Sequence, residues 1–233
     1  MTASTTIPCR FNGPPDSGNG GYSCGVLAAF MQGPCRVRLH VPPPLDAELS
    51  IVEAPEGRLE MYHGDTLVGS ASPASEALDI PPTPSLAEAG DALTRFPGYH
   101  DHPLDTCFVC GPNREGRDGL ELFTGPVSDW QLLASTWRPT PDLLEDSGNV
   151  KPEVVWAALD CPGYFAAVGS ELRMALLGEL YADLRSPVPG GQDLIVYSWP
   201  ISEDGRKLFA GAAIANAQGE VLACSRSTWI VLK

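Results

Sequence analysis

The sequence predicts an α+β fold in which one unit, a helix followed by antiparallel strands, is built twice within 233 residues. Three observations carry this. The same order of segments recurs: a candidate helix at 20–31 precedes strands at 36–41, 47–53, 57–62 and 66–71, and a second at 152–168 precedes 176–185, 193–199, 205–215 and 220–225. Within the strands apolar residues alternate with period two, Val37, Leu39 and Val41 opposing Arg36, Arg38 and His40. Finally, 23 prolines and 24 glycines punctuate the chain at matching places, with Pro42-Pro43-Pro44 after the first strand of one unit and Ser186-Pro187-Val188-Pro189-Gly190-Gly191 after that of the other. The expectation is two curved antiparallel sheets, each wrapped around its own central helix.

The first unit spans 1–72 and the second 106–233, with 73–105 as linker. In the linker, Ser85 and Glu88 have the spacing of a capping box and predict a short helix over 85–93. The segments 120–123 and 131–137 read as two further strands. Residues 209–215 are apolar on both faces, which predicts burial on both sides. Turns are expected at His63-Gly64-Asp65 and at 216–219.

Composition narrows the function. A formal net charge of −14 argues against nucleic acid or an anionic membrane surface as partner. No stretch approaches the ~18 consecutive apolar residues of a membrane span. Residues 1–10 lack the basic-then-apolar order of a signal peptide. Seven cysteines in such a chain read as reduced thiols, so a cytoplasmic location is expected.

Thr106-Cys107-Phe108-Val109-Cys110-Gly111-Pro112, followed by Gly119-Leu120, resembles the Cys-Phe-x-Cys-Gly…Gly-Leu entry of hotdog-fold thioesterases. Asn19-Gly20-Gly21 resembles their helix-opening His-Gly-Gly or Asn-Gly-Gly, and Gly219-Glu220-Val221-Leu222-Ala223 is similar to a hairpin near their end. The resemblance covers nearly the whole chain as a double hotdog. It implies a thioesterase-like hydrolase acting on an acyl thioester, acyl-CoA first among them, with no cofactor and with oxyanion donors and carboxylate drawn from different units. Further homo-oligomerisation of double hotdogs is compatible with it. The histidine of the His-Gly-Gly form is absent.

Asn19, Gly20 and Gly21 stand at a helix start, where unpaired amides and the helix dipole stabilise a developing oxyanion; a glycine-rich capped loop is the plainer account. Asp160 follows the apolar run Val154–Leu159, read as about two turns into its helix. An acid there is costly to bury and needs a reason: either a general base of raised pKa or a carboxylate bonded to backbone loosened by Pro162. Superposing the helix starts sets Gly20-Gly21 against Lys151-Pro152 and Asp160 against Ala29. One helix thus has the glycines and the other the acid, which predicts one composite site per chain. Tyr22 and Trp156 are the expected substrate-binding side chains, Trp156 with 209–215 lining an acyl tunnel.

Two other motifs compete for attention. Gly21-Tyr22-Ser23-Cys24-Gly25 fits the Gly-x-Ser-x-Gly elbow, but no strand precedes it and all four histidines lie before the second unit, so coincidence is the better reading. Cys107 and Cys110, with His100 and His102 upstream, offer four possible zinc ligands. A tight turn with small buried thiols is preferred, and no metal is expected. The alternative function is a non-catalytic acyl-CoA- or lipid-binding protein, favoured by the missing histidine. A CoA-ester hydratase is a weaker third, since its Asp-x-x-x-x-His pair is absent.

Overall fold

The computed structural model describes residues 2–232. Among the described residues there are eleven strands: β1 (Thr2–Thr6), β2 (Cys35–Leu39), β3 (Glu48–Ala54), β4 (Arg58–His63), β5 (Thr66–Pro73), β6 (Gly125–Pro126), β7 (Leu133–Trp137), β8 (Ala175–Leu184), β9 (Leu194–Asp204), β10 (Lys207–Ala215) and β11 (Val221–Val231). Four α-helices accompany them: α1 (Gly20–Ala28), α2 (Leu86–Leu93), α3 (Pro152–Ala158) and α4 (Cys161–Val168).

The expectation of two curved sheets is corrected. All eleven strands join one continuous antiparallel sheet in the order β1-β3-β4-β5-β2-β8-β11-β10-β9-β7-β6, and it is not strongly curled. The seam between the two predicted units is an ordinary ladder. Cys35, Arg36, Val37 and Arg38 of β2 face Ala182, Tyr181, Leu180 and Glu179 of β8. The physical reason is that β2 and β8 would each leave a row of unpaired backbone groups at an edge, and pairing them satisfies both rows. Val37 and Leu180, partners in the register, are both fully buried.

Three further expectations change. Residues 120–123 form no strand: Glu121 has φ 53°, off the extended region, and the short β6 follows instead. The predicted helix over 152–168 is two helices, because Pro162 has no N–H to give Ala158 and the chain turns at Leu159-Asp160. The N-terminus supplies β1, paired to β3 from Thr2↔Val52 to Thr6↔Glu48, an element that its polar sequence conceals.

The helix in the 73–105 segment is present with both arms of its capping box, Ser85 Oγ accepting from Glu88 N and Glu88 accepting from Ser85 N. It does more than link. Ala89 and Ala92 of α2 pack with Ala134, Ile195, Tyr197 and Trp199 in a small second core. Leu194 and Val196 of β9 belong instead to the main core, with α1, α3 and α4. Alternate residues of β9 therefore serve opposite faces of the sheet, and β10 does the same, with Ala212 and Ile214 on one side and Ala213 and Ala215 on the other. This accounts for the doubly apolar sequence of 209–215. Among the described residues no helix is long and apolar enough to cross a membrane.

Candidate active site

Helix α1 begins where Asn19 leaves the extended region. The Asn19 Oδ1 accepts from Tyr22 N at 2.8 Å and so caps the first turn. The following residues are small because α1 runs hard against α3. A Cβ on Gly21 would lie 2.6 Å from the Trp156 carbonyl oxygen and 3.1 Å from Ala157 Cα, and one on Gly25 would lie 2.6 Å from Glu153 Cα. Glycines four residues apart face one way on a helix, and here they let two backbones meet.

That close approach also explains the Gly-x-Ser-x-Gly pattern. Its glycines are packing residues, and Ser23 is buried with its Oγ donating to the Asn19 carbonyl at 2.8 Å. No strand runs directly into it, since β1 ends at Thr6 and a short 3₁₀ turn over Cys9–Phe11 lies between, so the segment is not a nucleophile elbow.

Asp160 stands at the break between α3 and α4 as the N-cap residue of α4, not two turns into a helix. Its side chain caps nothing there. Instead Oδ2 accepts from Gly21 N at 2.8 Å and from Asn19 Nδ2 at 3.0 Å, bringing together residues 139 and 141 positions apart. The break is held over the sheet by Ser225, whose Oγ donates to the Leu159 carbonyl at 3.2 Å. Asp160 is 1% exposed, and its Oδ1 is buried without a protein partner. Burial raises its pKa to about 7; the Gly21 amide and the Asn19 side chain oppose the rise. A carboxyl that titrates near neutrality on a helix N-terminus is chemically able to exchange a proton with a reacting group.

Asn19, Gly21 and Asp160 thus converge, and Gly20 lies beside them: a Cβ there would be 3.5 Å from Asp160 Oδ2 and 2.9 Å from Leu177. The Gly21 amide, expected to face a substrate carbonyl, faces Asp160 instead. Tyr22 and Trp156 sit in the core. Tyr22 stacks on Phe11 at 3.9 Å with its edge toward Phe108, and Trp156 has its Cβ against the Gly25 position. Two surface clefts, of ≈ 430 and ≈ 640 Å³, are lined by other residues: the first by the stretch from Gly111 to Arg114 with Tyr99 and Phe123, the second by Glu76–Asp79, Trp199 and Arg226.

The loop 107–110 closes the site from below. Phe108 N donates to the Asn12 carbonyl at 2.9 Å, and Arg114 ties the loop to the N-terminal segment through the Thr106 carbonyl and Asn12 Oδ1. Sequence reading missed Cys161. With Cys107 and Cys110 it places three buried sulfurs within 4.8 Å of one another. Its only sequence signal is a cysteine directly after the isolated acid. The histidines weighed as ligands do not join this group: His100 is exposed, and His102 Nδ1 accepts from Leu104 N at 2.9 Å.

No family model matches the chain, and no curated protein matches it in sequence. Solved structures do match in fold. The tesB protein of Mycobacterium avium subspecies paratuberculosis superposes with a TM-score of 0.64 at 13% identity, over 100% of this chain and 93% of that one. A conserved protein of unknown function with a hotdog fold from Alicyclobacillus acidocaldarius gives 0.67 at 12% identity, over 100% and 93%. An acyl-CoA thioesterase II, TesB2, from Mycobacterium marinum gives 0.61 at 11% identity, over 93% and 90%. At these identities the likeness is one of fold.

Proposed function

On a hotdog, thioesterase-like fold whose two halves meet at one carboxylate, we propose that this protein hydrolyses an acyl thioester, with acyl-CoA as the substrate class. The observation that carries the reading is the 2.8 Å bond between Gly21 N and Asp160 Oδ2, which joins a helix N-terminus to a buried acid. In the reaction, Asp160 takes a proton from water as the water oxygen attacks the thioester carbonyl carbon. The carbonyl oxygen gains negative charge and is stabilised by the Gly20 amide at the positive end of α1, with the Gly21 amide and Asn19 positioning the acid. The C–S bond then breaks, and the proton held by Asp160 goes to the leaving thiolate. Acid and free thiol are the products, and Asp160 is regenerated.

A second reading has one observation in its favour. Asp160 is almost fully buried and already occupies the Gly21 amide, as suits a non-catalytic acyl-thioester-binding protein. A panel of acyl-CoA esters with colorimetric detection of released thiol separates the two. The hydrolase reading expects turnover that falls ~10²–10⁴-fold in Asp160→Asn with a much smaller change in affinity. Undiminished turnover in that variant defeats it. Saturable binding without thiol release selects the second reading.

A further inference from the structure

Cys107, Cys110 and Cys161 come from two distant stretches of chain, yet their sulfurs lie within 4.8 Å of one another and all three residues are buried. The Sγ atoms of Cys107 and Cys161 are 3.7 Å apart. Sulfurs that share a tetrahedral ion at a metal–sulfur distance of about 2.3 Å sit about 3.8 Å from each other. The backbone supports the same geometry. Cys107-Phe108-Val109-Cys110-Gly111 folds as a tight knuckle, with Gly111 N donating to the Cys107 carbonyl at 2.9 Å.

Donors converge on these sulfurs. Val109 N points at Cys107 Sγ at 3.4 Å. Asn19 Nδ2, besides its bond to Asp160, approaches Cys161 Sγ at 3.6 Å and Cys107 Sγ at 3.8 Å. Hydrogen bonds from N–H groups to sulfur are the outer support that thiolate ligands receive. Thiols packed merely as small hydrophobes require none of this.

We infer that Cys107, Cys110 and Cys161 form a binding site for a thiophilic d¹⁰ cation, zinc(II) or copper(I), held by three thiolates. The two ions share this chemistry, since soft sulfur donors select both. Copper(I) is satisfied by three thiolates, whereas zinc(II) takes a fourth donor, which no further His, Cys, Asp or Glu among the described residues supplies within the same 4.8 Å. The ion would staple the 107–110 loop to the start of α4. This inference stands apart from the hydrolase reading, because its readout is metal content and not turnover.

The test uses the full chain in a Cys9→Ser background, which removes the exposed thiol. The protein is refolded under reducing, anaerobic conditions with zinc(II) or with copper(I), each buffered by a competing chelator, and metal per chain is measured after desalting. Cobalt(II) loading reports thiolate ligation through its sulfur-to-metal charge-transfer absorption. One ion per chain is expected for zinc, copper or both. Cys110→Ala and Cys161→Ala should each weaken binding by at least ~10²-fold, more than loss of a supporting outer group. Cys24→Ala, which removes a buried thiol outside the cluster, should leave it unchanged. Folded wild-type chain that retains neither ion, or retains no more than the Cys107→Ser/Cys161→Ser double variant, overturns the inference. This holds whether or not the single variants fold.

Discussion

The amide of Gly21 and the carboxylate of Asp160 meet at 2.8 Å across 139 positions of chain. This contact is where the composite site stands or falls. The glycine is required because any Cβ there would strike the Trp156 carbonyl, and the acid is reachable because the chain breaks before Pro162.

A pH–rate profile of metal-free protein tests the acid directly. Asp160 titrates at about 7 because burial disfavours its charge. As a general base it works ionised, so turnover should rise with pH and level off above about 7. The ascending limb should vanish in Asp160→Asn. A limb of unchanged position in the variant would assign the base elsewhere.

Stability should carry the opposite sign. The folded-state pKa of about 7 lies above the ordinary 3.8, so the fold favours the protonated acid. That contribution is fully present below the unfolded value and is lost as pH rises through about 7. In metal-free protein, Asp160→Asn has no charge to bury. Its Tm relative to wild type should therefore increase from about pH 4 to about pH 7 and level off above that. A difference that is flat with pH would show that Asp160 does not titrate in the folded chain.

Much of this was legible in the residues. The isolated acid and the glycine pair, which the structure brings to 2.8 Å of each other, stood out because burying a charge and omitting side chains both leave marks in sequence. The capping box at Ser85 and Glu88 was equally visible, being local. The seam between β2 and β8 was not. Strand pairing across more than a hundred residues leaves no pattern in either strand, and two separate sheets would read the same way. Cys161 was missed for a similar reason, since its partners are distant in chain and close only once α4 is docked.

The helix contact should discriminate between two glycines. At Gly25 an added methyl meets the backbone of Glu153 at 2.6 Å, which cannot yield as a flexible side chain would. Gly25→Ala should cost roughly 1–3 kcal/mol by chemical denaturation. Gly90 in α2 has only Thr136 Cγ2 at 3.8 Å, so Gly90→Ala should stabilise by about 0.5–1 kcal/mol through helix propensity. Equal effects at the two sites would contradict the packing described.

Asn19 carries two duties on one amide: its oxygen caps α1 and its nitrogen holds Asp160. Asn19→Ser keeps a capping oxygen and loses the donor, whereas Asn19→Ala loses both. Turnover should drop in both variants. Only the alanine variant should pay the additional ~1 kcal/mol of a lost cap, read from Tm.

Ser23 should matter little to chemistry. Its hydroxyl is spent on the Asn19 carbonyl inside the core. Ser23→Ala should leave thioester turnover within about two-fold and lower stability by about 1 kcal/mol. A loss of activity approaching that of Asp160→Asn would revive the serine as nucleophile.

The β2–β8 ladder acts as a ruler for the whole molecule. Helix α1 leads directly into β2, and Asp160 is fastened above β11, the other neighbour of β8. A slip of β2 along β8 by one residue would turn its buried side chains outward, and a slip by two would keep the faces but shift the strand by about 6.6 Å. Either displacement separates an amide and a carboxylate that must meet at hydrogen-bonding distance. The meeting of the Gly21 amide and the Asp160 carboxylate thus depends on the register of that ladder as well as on the direct contact of α1 with α3.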